Sequence, residues 1–471
     1  MLTDHPVPQN RWDLLEAIPV PSPQVSVVVC HYDQPAQLAR TLAALGRQTL
    51  RPHEIVIADD GSREPPGPRP LHPSDPAGPV PVRLVTQPDL GFRAAAARNL
   101  GARHATGEVL VFLDADTVPE PGFLEALTRT VARCPDALAV GRRRHADLSA
   151  MPLDGDPAAA PRLPEPAWLS DGYRATRNLL DADGRSFRYV ISALFAVRRT
   201  LFDDLGGFDE RFVGYGGEDW DLGYRAWNAG AVLVHERAAV GWHDGPDWAG
   251  RAEDRARKDL EFLRLAALVP EPSTRGAPLP AQLPDVLVDL APTSAPTSAP
   301  TSAPTDPGGS AGRGGAVEPG GPAEPAEACG PAGRPVTVRA RLVHSLLTQT
   351  HRDLRVRLPG EPAEPYAGMV QCEPWSADQC RRARARLVVH RPLPADTVAR
   401  MMQAATTHDL GEVEAVTADG EVVALLTTTR ATGRGRRWGV AVDPAFGRAA
   451  LRVEAVPPRG DLAGFFAASA G

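Results

Sequence analysis

The stretch DLGFRAAAARNLGARHATGEVLVFLDAD, residues 89–116, predicts an alanine-rich helix over 93–104 and a strand over 108–113. Two carboxylates, Asp114 and Asp116, emerge where that strand stops. An unbroken apolar run such as VLVFL suits a strand buried on both faces. Working outward, VSVVVC (25–30), EIVIA (54–58) and VRLVT (82–86) are further short strand runs, and Leu38, Leu42 and Leu45 form one helical stripe between the first two. Strand, helix, strand and helix joined by short turns predict an α/β domain with a largely parallel sheet. Ligands of such sheets sit beyond the carboxyl ends of the strands, and Asp59, Asp60, Asp114 and Asp116 fall there.

The chain has 471 residues, 51 basic and 58 acidic, for a formal charge of −7. With 43% apolar and 23% charged residues it matches an ordinary globular composition, which excludes a wholly disordered or fibrous chain and gives no electrostatic reason to expect nucleic acid as a partner. No apolar run nears the roughly 20 residues of a membrane-spanning helix. The start, MLTDHPVPQNRWDLLEAIPVPSP, has an early Asp4 and no apolar core, so it does not read as a secretory signal. Five cysteines, with no CxxC pair, fit a reducing compartment, and a cytoplasmic protein is expected.

Proline (49) and glycine (43) are over-used, and their excess is assigned to linkers and long loops. Residues 291–305 read APTSAPTSAPTSAPT, with almost nothing to bury. The expected organisation is a large domain over 1–271, a disordered linker over 272–334 and a smaller α/β domain over 335–471. Residues 334–471 carry a net +5 and the remainder −12. Arg430, Arg434, Arg436 and Arg437 cluster in RATGRGRR, which reads either as a surface for phosphate or an acidic membrane, hence peripheral contact, or as a solvated loop. Arginine supplies every basic residue but Lys258, so arginine count alone says little.

Two carboxylates one residue apart at a strand end suit a hard divalent cation that could in turn hold a diphosphate; a capping and turn role would explain them equally. Further on, GYGGEDWD (214–221) sets paired glycines before Glu218, Asp219 and Asp221. Acids at a helix start suit its positive end, and a carboxylate there could also take a proton from an attacking hydroxyl.

Taken in order, VSVVVCHYDQPAQLARTLAALGRQT, EIVIADDGS and DLGFRAAAARNLGARHATGEVLVFLDAD resemble the nucleotide-sugar-binding half of family 2 glycosyltransferases with the GT-A fold. GGFDERFVGYGGEDWDLGYRAWNAG resembles the acceptor-side motif of galactosyltransferase-like and chondroitin-polymerase-like enzymes. The resemblance runs from about Val25 to His243. It implies that Cys30, Tyr32 and Asp60 border the nucleobase, that Arg98 lies near the diphosphate or pairs with an aspartate, and that Asp114 binds ribose or the metal through water. Asp116 would be the direct ligand of a divalent cation, Mn2+ or Mg2+, with His243 as a further ligand. Asp219 would be the general base and Glu218 would orient the acceptor.

The function implied is metal-dependent, inverting transfer of a sugar from a nucleotide-sugar donor, a UDP-sugar, to a carbohydrate or other hydroxyl acceptor. A retaining transferase and a non-catalytic sugar- or nucleotide-binding scaffold are the alternatives. Residues 142–189 are expected to hold acceptor-facing loops. Of Trp220, Trp227 and Trp242, close to the acceptor motif, none is assigned to a sugar. Residues 342–358 can be laid on LAALGRQTLRPHEIVI with Gln349-Thr350 over Gln48-Thr49, which reads either as a degenerate second copy of the first domain or as a coincidental strand and helix pattern in an unrelated α/β domain. At that offset Asp59 and Asp60 fall on Gly360 and Glu361, and His390, Arg391 and Pro392 stand where the paired aspartates would be.

Overall fold

β-Branched and apolar runs build the centre of the first sheet: β1 (Val25–His31), β2 (Glu54–Asp59) and β4 (Val109–Asp114) are buried almost throughout. The computed structural model describes residues 7–67, 78–214, 216–246, 255–276, 283–291, 338–358 and 370–456. With β3 (Val82–Thr86), β5 (Thr117–Pro119), β6 (Ala137–Ala146), β7 (Leu194–Arg198) and β8 (Val232–Asp244), the sheet has the order β3-β2-β1-β4-β7-β6-β8-β5. β3, β2, β1 and β4 are parallel, β7 runs against both β4 and β6, and β6 and β8 are parallel again. The helix Ala94–His104 lies close on this sheet because of its small residues. A Cβ on Gly101 would come within 2.4 Å of Val28 Cγ1, so glycine is required at that approach.

A second sheet contains β9 (Val286–Leu290), β10 (Leu354–Arg357), β11 (Val370–Gln371), β12 (Ala385–Val389), β13 (Leu410–Val416), β14 (Val422–Thr428) and β15 (Gly447–Arg452). Its order is β11-β10-β9-β12-β14-β13-β15. Put β9 to β12 in place of β1, β2, β3 and β4, and β13, β14 and β15 in place of β6, β7 and β8. The order of the first sheet without β5 then returns, with the parallel and antiparallel relations of those seven strands kept.

A matching pair of hydrogen-bond networks accompanies the shared topology. Gln48 Nε2 donates to Ala44 O and Glu120 O while its Oε1 accepts from the Leu124 amide. Gln349 Nε2 donates to Ser345 O and Pro394 O while its Oε1 accepts from the Val398 amide. Thr49 and Thr350 bond Pro121 O and Ala395 O in the same way. Through a shared strand order and a shared polar lock, the second sheet repeats the topology of the first. After β12, His390, Arg391 and Pro392 stand where Asp114 and Asp116 follow β4.

Two expectations are corrected. Residues 272–334 do not form one linker: Pro272–Arg275 is helical, and β9 hydrogen-bonds between β10 and β12. The six-residue run DVLVDL is short and proline-flanked, so composition masked it. Residues 292–337, which contain the repeat, lie outside the described residues, as do Gly360 and Glu361.

The second correction concerns RATGRGRR, which is a helix, Thr429–Arg437, packed on the first domain. Arg430 lies 3.5 Å over the Trp227 ring, and Arg434 donates to Gly230 O and Val7 O. Arg437 pairs with Asp136, which leaves Arg436 as the exposed member. The cluster fastens the two domains together instead of facing a phosphate or a membrane.

Arg382, 1% exposed, makes the most central contact between the domains. Its guanidinium pairs with Asp221, with Asp209 at 2.5 Å and with Asp378 at 2.7 Å. Its carbonyl accepts from Tyr224 Oη at 2.6 Å and from Asn228. Asp221, Tyr224 and Asn228 all belong to the helix Glu218–Asn228.

Candidate functional site

β4 delivers Asp114 at its last residue, and the turn into β5 carries Asp116. β5 pairs with the end of β8 so that Thr117 faces His243, which brings His243 Nδ1 to 3.2 Å from Asp116 Oδ1. Gln34 Nε2, just before the helix Pro35–Leu45, donates to Asp116 Oδ2 at 3.3 Å. Burial pushes the Asp116 carboxyl up, but the bond to His243, the charges of His243 and Arg143, and Gln34 hold it below the usual range, so it stays ionised.

Arg98 is the pivot of the site. It is buried on the helix Ala94–His104, donating Nη2 to Asp114 Oδ1 at 2.8 Å and Nη1 to Glu218 Oε1 at 2.9 Å. Burial opposes its charge, yet the carboxylates of Asp114 and Glu218 more than offset this and raise its pKa. Its Nε is buried without a hydrogen-bond partner. The guanidinium therefore ties the end of β4 to the start of the helix Glu218–Asn228, two points 104 residues apart in the chain.

That helix starts after Gly216 and Gly217, at φ 92° and 90°, where a side chain would be strained; a Cβ on Gly217 would also come within 2.8 Å of the Phe212 ring. The three acids then separate. Asp221 is fully buried between Arg225 and Arg382. Glu218 is held by Arg98. Among the described residues, the Asp219 side chain accepts only from the neighbouring Trp220 amide, at 2.8 Å. Burial and the charge of Glu218 push Asp219 up to about 7, against the opposing pull of Arg98 and the Trp220 amide.

On the β1–β2 side, Tyr32 is exposed and its hydroxyl donates to Asp89 at 3.2 Å. Asp60 accepts from the Arg93 amide at 2.7 Å and from Gln87 at 2.6 Å. Cys30 lies beside Asp114 in the strand register, its thiol pushed up to about 12 by burial and so kept protonated. Sequence reasoning missed the neighbouring lock in which Asp59 binds His31 at 2.8 Å, Ser62 and Thr86. It also missed Gln34 and Arg143 at Asp116. These residues meet through the packing of separate strands, loops and a helix start, which nothing in local spacing reveals.

Of the tryptophans, Trp227 and Trp242 are buried supports, Trp227 under Arg430 and Trp242 bonded to Glu120 and flanked by Arg144 and Arg162. Trp220, next to Asp219, meets Trp168 edge to face at 6.2 Å, and Trp168 in turn stacks on Tyr189. This aromatic surface lies within the expected acceptor loops and offers apolar faces of the kind that pack on sugar C–H groups.

One carboxylate and one imidazole on adjoining strands, with Asp114 close in sequence, suit a divalent cation that accepts oxygen and nitrogen ligands. Asp116 and His243 would hold it, leaving its remaining positions to ligand oxygens. Among the described residues, no group of three or more metal-ligating side chains converges.

Residues 26–206 match the model of glycosyl transferase family 2, and residues 184–238 that of the N-terminal domain of galactosyltransferase. The hyaluronan synthase of Pasteurella multocida is 29% identical over 267 residues, 52% of this chain and 27% of that protein. The validoxylamine A glucosyltransferase of Streptomyces hygroscopicus subsp. limoneus is 32% identical over 234 residues, 46% of this chain and 51% of that protein. The chain thus spans about a quarter to a half of these relatives. A solved structure of GalNAc-T7 with UDP, GalNAc and Mn2+ aligns at a TM-score of 0.37 and 19% identity, over 54% of this chain and 52% of that one. No helix among the described residues is long and apolar enough to cross a membrane. The two family matches overlap at β7 and together take in β1, β4 and the helix Glu218–Asn228, so that over residues 26–206 the chain is similar to glycosyltransferase family 2.

Proposed function

We propose that the protein is an inverting glycosyltransferase that moves a sugar from a UDP-sugar to a hydroxyl acceptor, with Asp219 as general base and a divalent cation at Asp116 and His243. The observation that carries this reading is the contrast within one helix turn. Glu218 and Asp221 are neutralised by arginines, while Asp219 keeps a free carboxylate oxygen and a proton affinity poised near neutrality. The acceptor oxygen attacks the anomeric carbon, its proton passes to Asp219, and the bond from that carbon to the diphosphate oxygen breaks. When bound, the cation supplies charge neutralisation for the departing diphosphate.

Arg98 keeps Asp114 and Glu218 in register, so that the donor and acceptor sides of the site are fixed to each other. Tyr32 offers a stacking face to the base, and Asp60, already oriented by Gln87 and the Arg93 amide, presents its remaining lone pairs. Among the described residues Cys30, Cys134, Cys372 and Cys380 are free thiols, which supports a reducing, cytoplasmic location. Release of UDP from a panel of nucleotide sugars, with and without Mn2+, tests the reading; no turnover of any donor with Mn2+ present would defeat it.

The metal assignment has its own expected result. Asp116→Ala should abolish Mn2+-dependent UDP binding while the thermal midpoint stays close to that of the parent protein. Isothermal calorimetry on the parent protein that gives one UDP affinity with and without EDTA would remove the cation from the mechanism.

A further inference from the structure

A cavity of about 490 Å³ opens between β6, β8 and the helix Ala167–Ala175. Arg142, Arg143 and Arg237 line it, together with Arg174 and Arg177, against a single carboxylate, Glu165. Arg174 and Arg177 are spoken for by Asp171 and Asp181 outside the cavity, and Glu165 reaches Arg144 at 3.5 Å. Neither the Arg142 nor the Arg237 side chain makes a hydrogen bond or ion pair among the described residues.

The crowding has a structural cause. In the register of β6 with β8, Gly141 faces Glu236 but Arg142 faces Val240, so residues 237–239 bulge from β8 and bring Arg237 to the cavity wall beside Arg142. Burial lowers the pKa of Arg142, and Arg144, Arg237 and Arg162 lower it further. Among the described residues, Glu165 is the one carboxylate that answers these arginines, and like charges held together in such excess cost free energy unless something anionic joins them.

The cavity is also lined by His235, stacked on Tyr173 at 3.6 Å. His235 Nδ1 bonds Asn178, while its Nε2 is buried and has no hydrogen-bond partner. Burial, with Arg142 and Arg237, pulls His235 down to about 3, so the ring is neutral and can offer a lone pair to a hydroxyl. The cavity also neighbours the proposed chemistry on two sides. Tyr173 feels the charge of Asp219, and Arg143 that of Asp116.

We infer that this cavity is an acceptor subsite for an anionic group, a phosphate or a carboxylate carried by the hydroxyl compound that receives the sugar. The inference rests on the proposed transferase reading and adds to it the charge class of the acceptor. Planar guanidinium forks at Arg142 and Arg237 suit both anions.

The test uses the full chain and two probes, inorganic phosphate and glucuronate, titrated into the parent protein and into the Arg142→Gln/Arg237→Gln variant. Affinity for UDP with Mn2+ is measured on both proteins in parallel. At least one probe should bind the parent protein and bind the variant about 10-fold or more weakly, with UDP affinity unchanged and the probe still bound at saturating UDP. Arg237→Gln alone, at an exposed side chain, should give part of the loss. Equal probe binding by parent and variant, or no binding of either probe to the parent, would overturn the subsite. Displacement of the probe by UDP would also overturn it, because the arginines would then belong to the donor's diphosphate. Absence of UDP binding by the parent protein would instead count against the transferase reading itself.

Discussion

Replacing Asp219 by Asn is expected to cut turnover by about 10²- to 10⁴-fold, the usual cost of losing a general base, while UDP affinity stays within about twofold. The amide keeps the size of the carboxylate and can still accept from the Trp220 amide, so the helix start is preserved and only the proton acceptor is lost. Because the Asp219 carboxyl is raised to about 7, the parent protein's kcat/KM should climb as pH rises through that value, where the base becomes ionised. In the variant that limb should vanish. Normal turnover by Asp219→Asn, or an unchanged acidic limb, would refute the role, and a product that retains the donor's anomeric configuration would refute inversion.

The second large effect is expected far from the reacting atoms. Arg382→Ala removes the cation shared by Asp221, Asp209 and Asp378, of which Asp221 is fully buried. Breaking a buried pair by deleting one partner costs about 3–5 kcal/mol, because the other charge is left in low dielectric. Arg225 still faces Asp221, which puts the expectation near the lower end of that range. Asp221 stands two residues after Asp219, so activity should fall together with stability. Arg382→Lys should rescue little, since one ammonium cannot span three carboxylates as a guanidinium fork does. Denaturant unfolding that places Arg382→Ala within about 1 kcal/mol of the parent protein would show the contact to be peripheral.

The buried strands, the helix over 93–104 and the chemistry-bearing ends of β4 and of GYGG could be read from sequence because each rests on a local pattern of a few residues. The pairing of His243 with Asp116 was anticipated only through the family resemblance; the register of β5 with β8 provides it physically. Arg98 was legible as a site residue, but its bond to Glu218 spans 120 residues and has no local signature. β9 was hidden by its proline-rich surroundings, and the arginines of RATGRGRR were misread because a charge run does not disclose what packs over it. The likeness between Gln48 and Gln349 was visible as a dipeptide match. Its reason, a side-chain lock at the same point of two sheets, required the fold.

The place of β9 determines how the molecule can be divided. Its residues precede position 292, yet it sits between β10 and β12, whose residues all follow position 353. A protease cut anywhere from 292 to 337 would therefore release nothing. The upstream fragment would keep a strand that the downstream fragment's sheet needs at its centre, and the two would persist as a complemented pair. Conversely, a recombinant piece beginning at residue 335 would lack that strand and expose the hydrogen-bonding edges of β10 and β12 to any passing chain. What the sequence presents as a tether between two beads is thus an insertion within the second bead, just past its first strand. Insertions or deletions there can change the length of the protein without changing which strands meet.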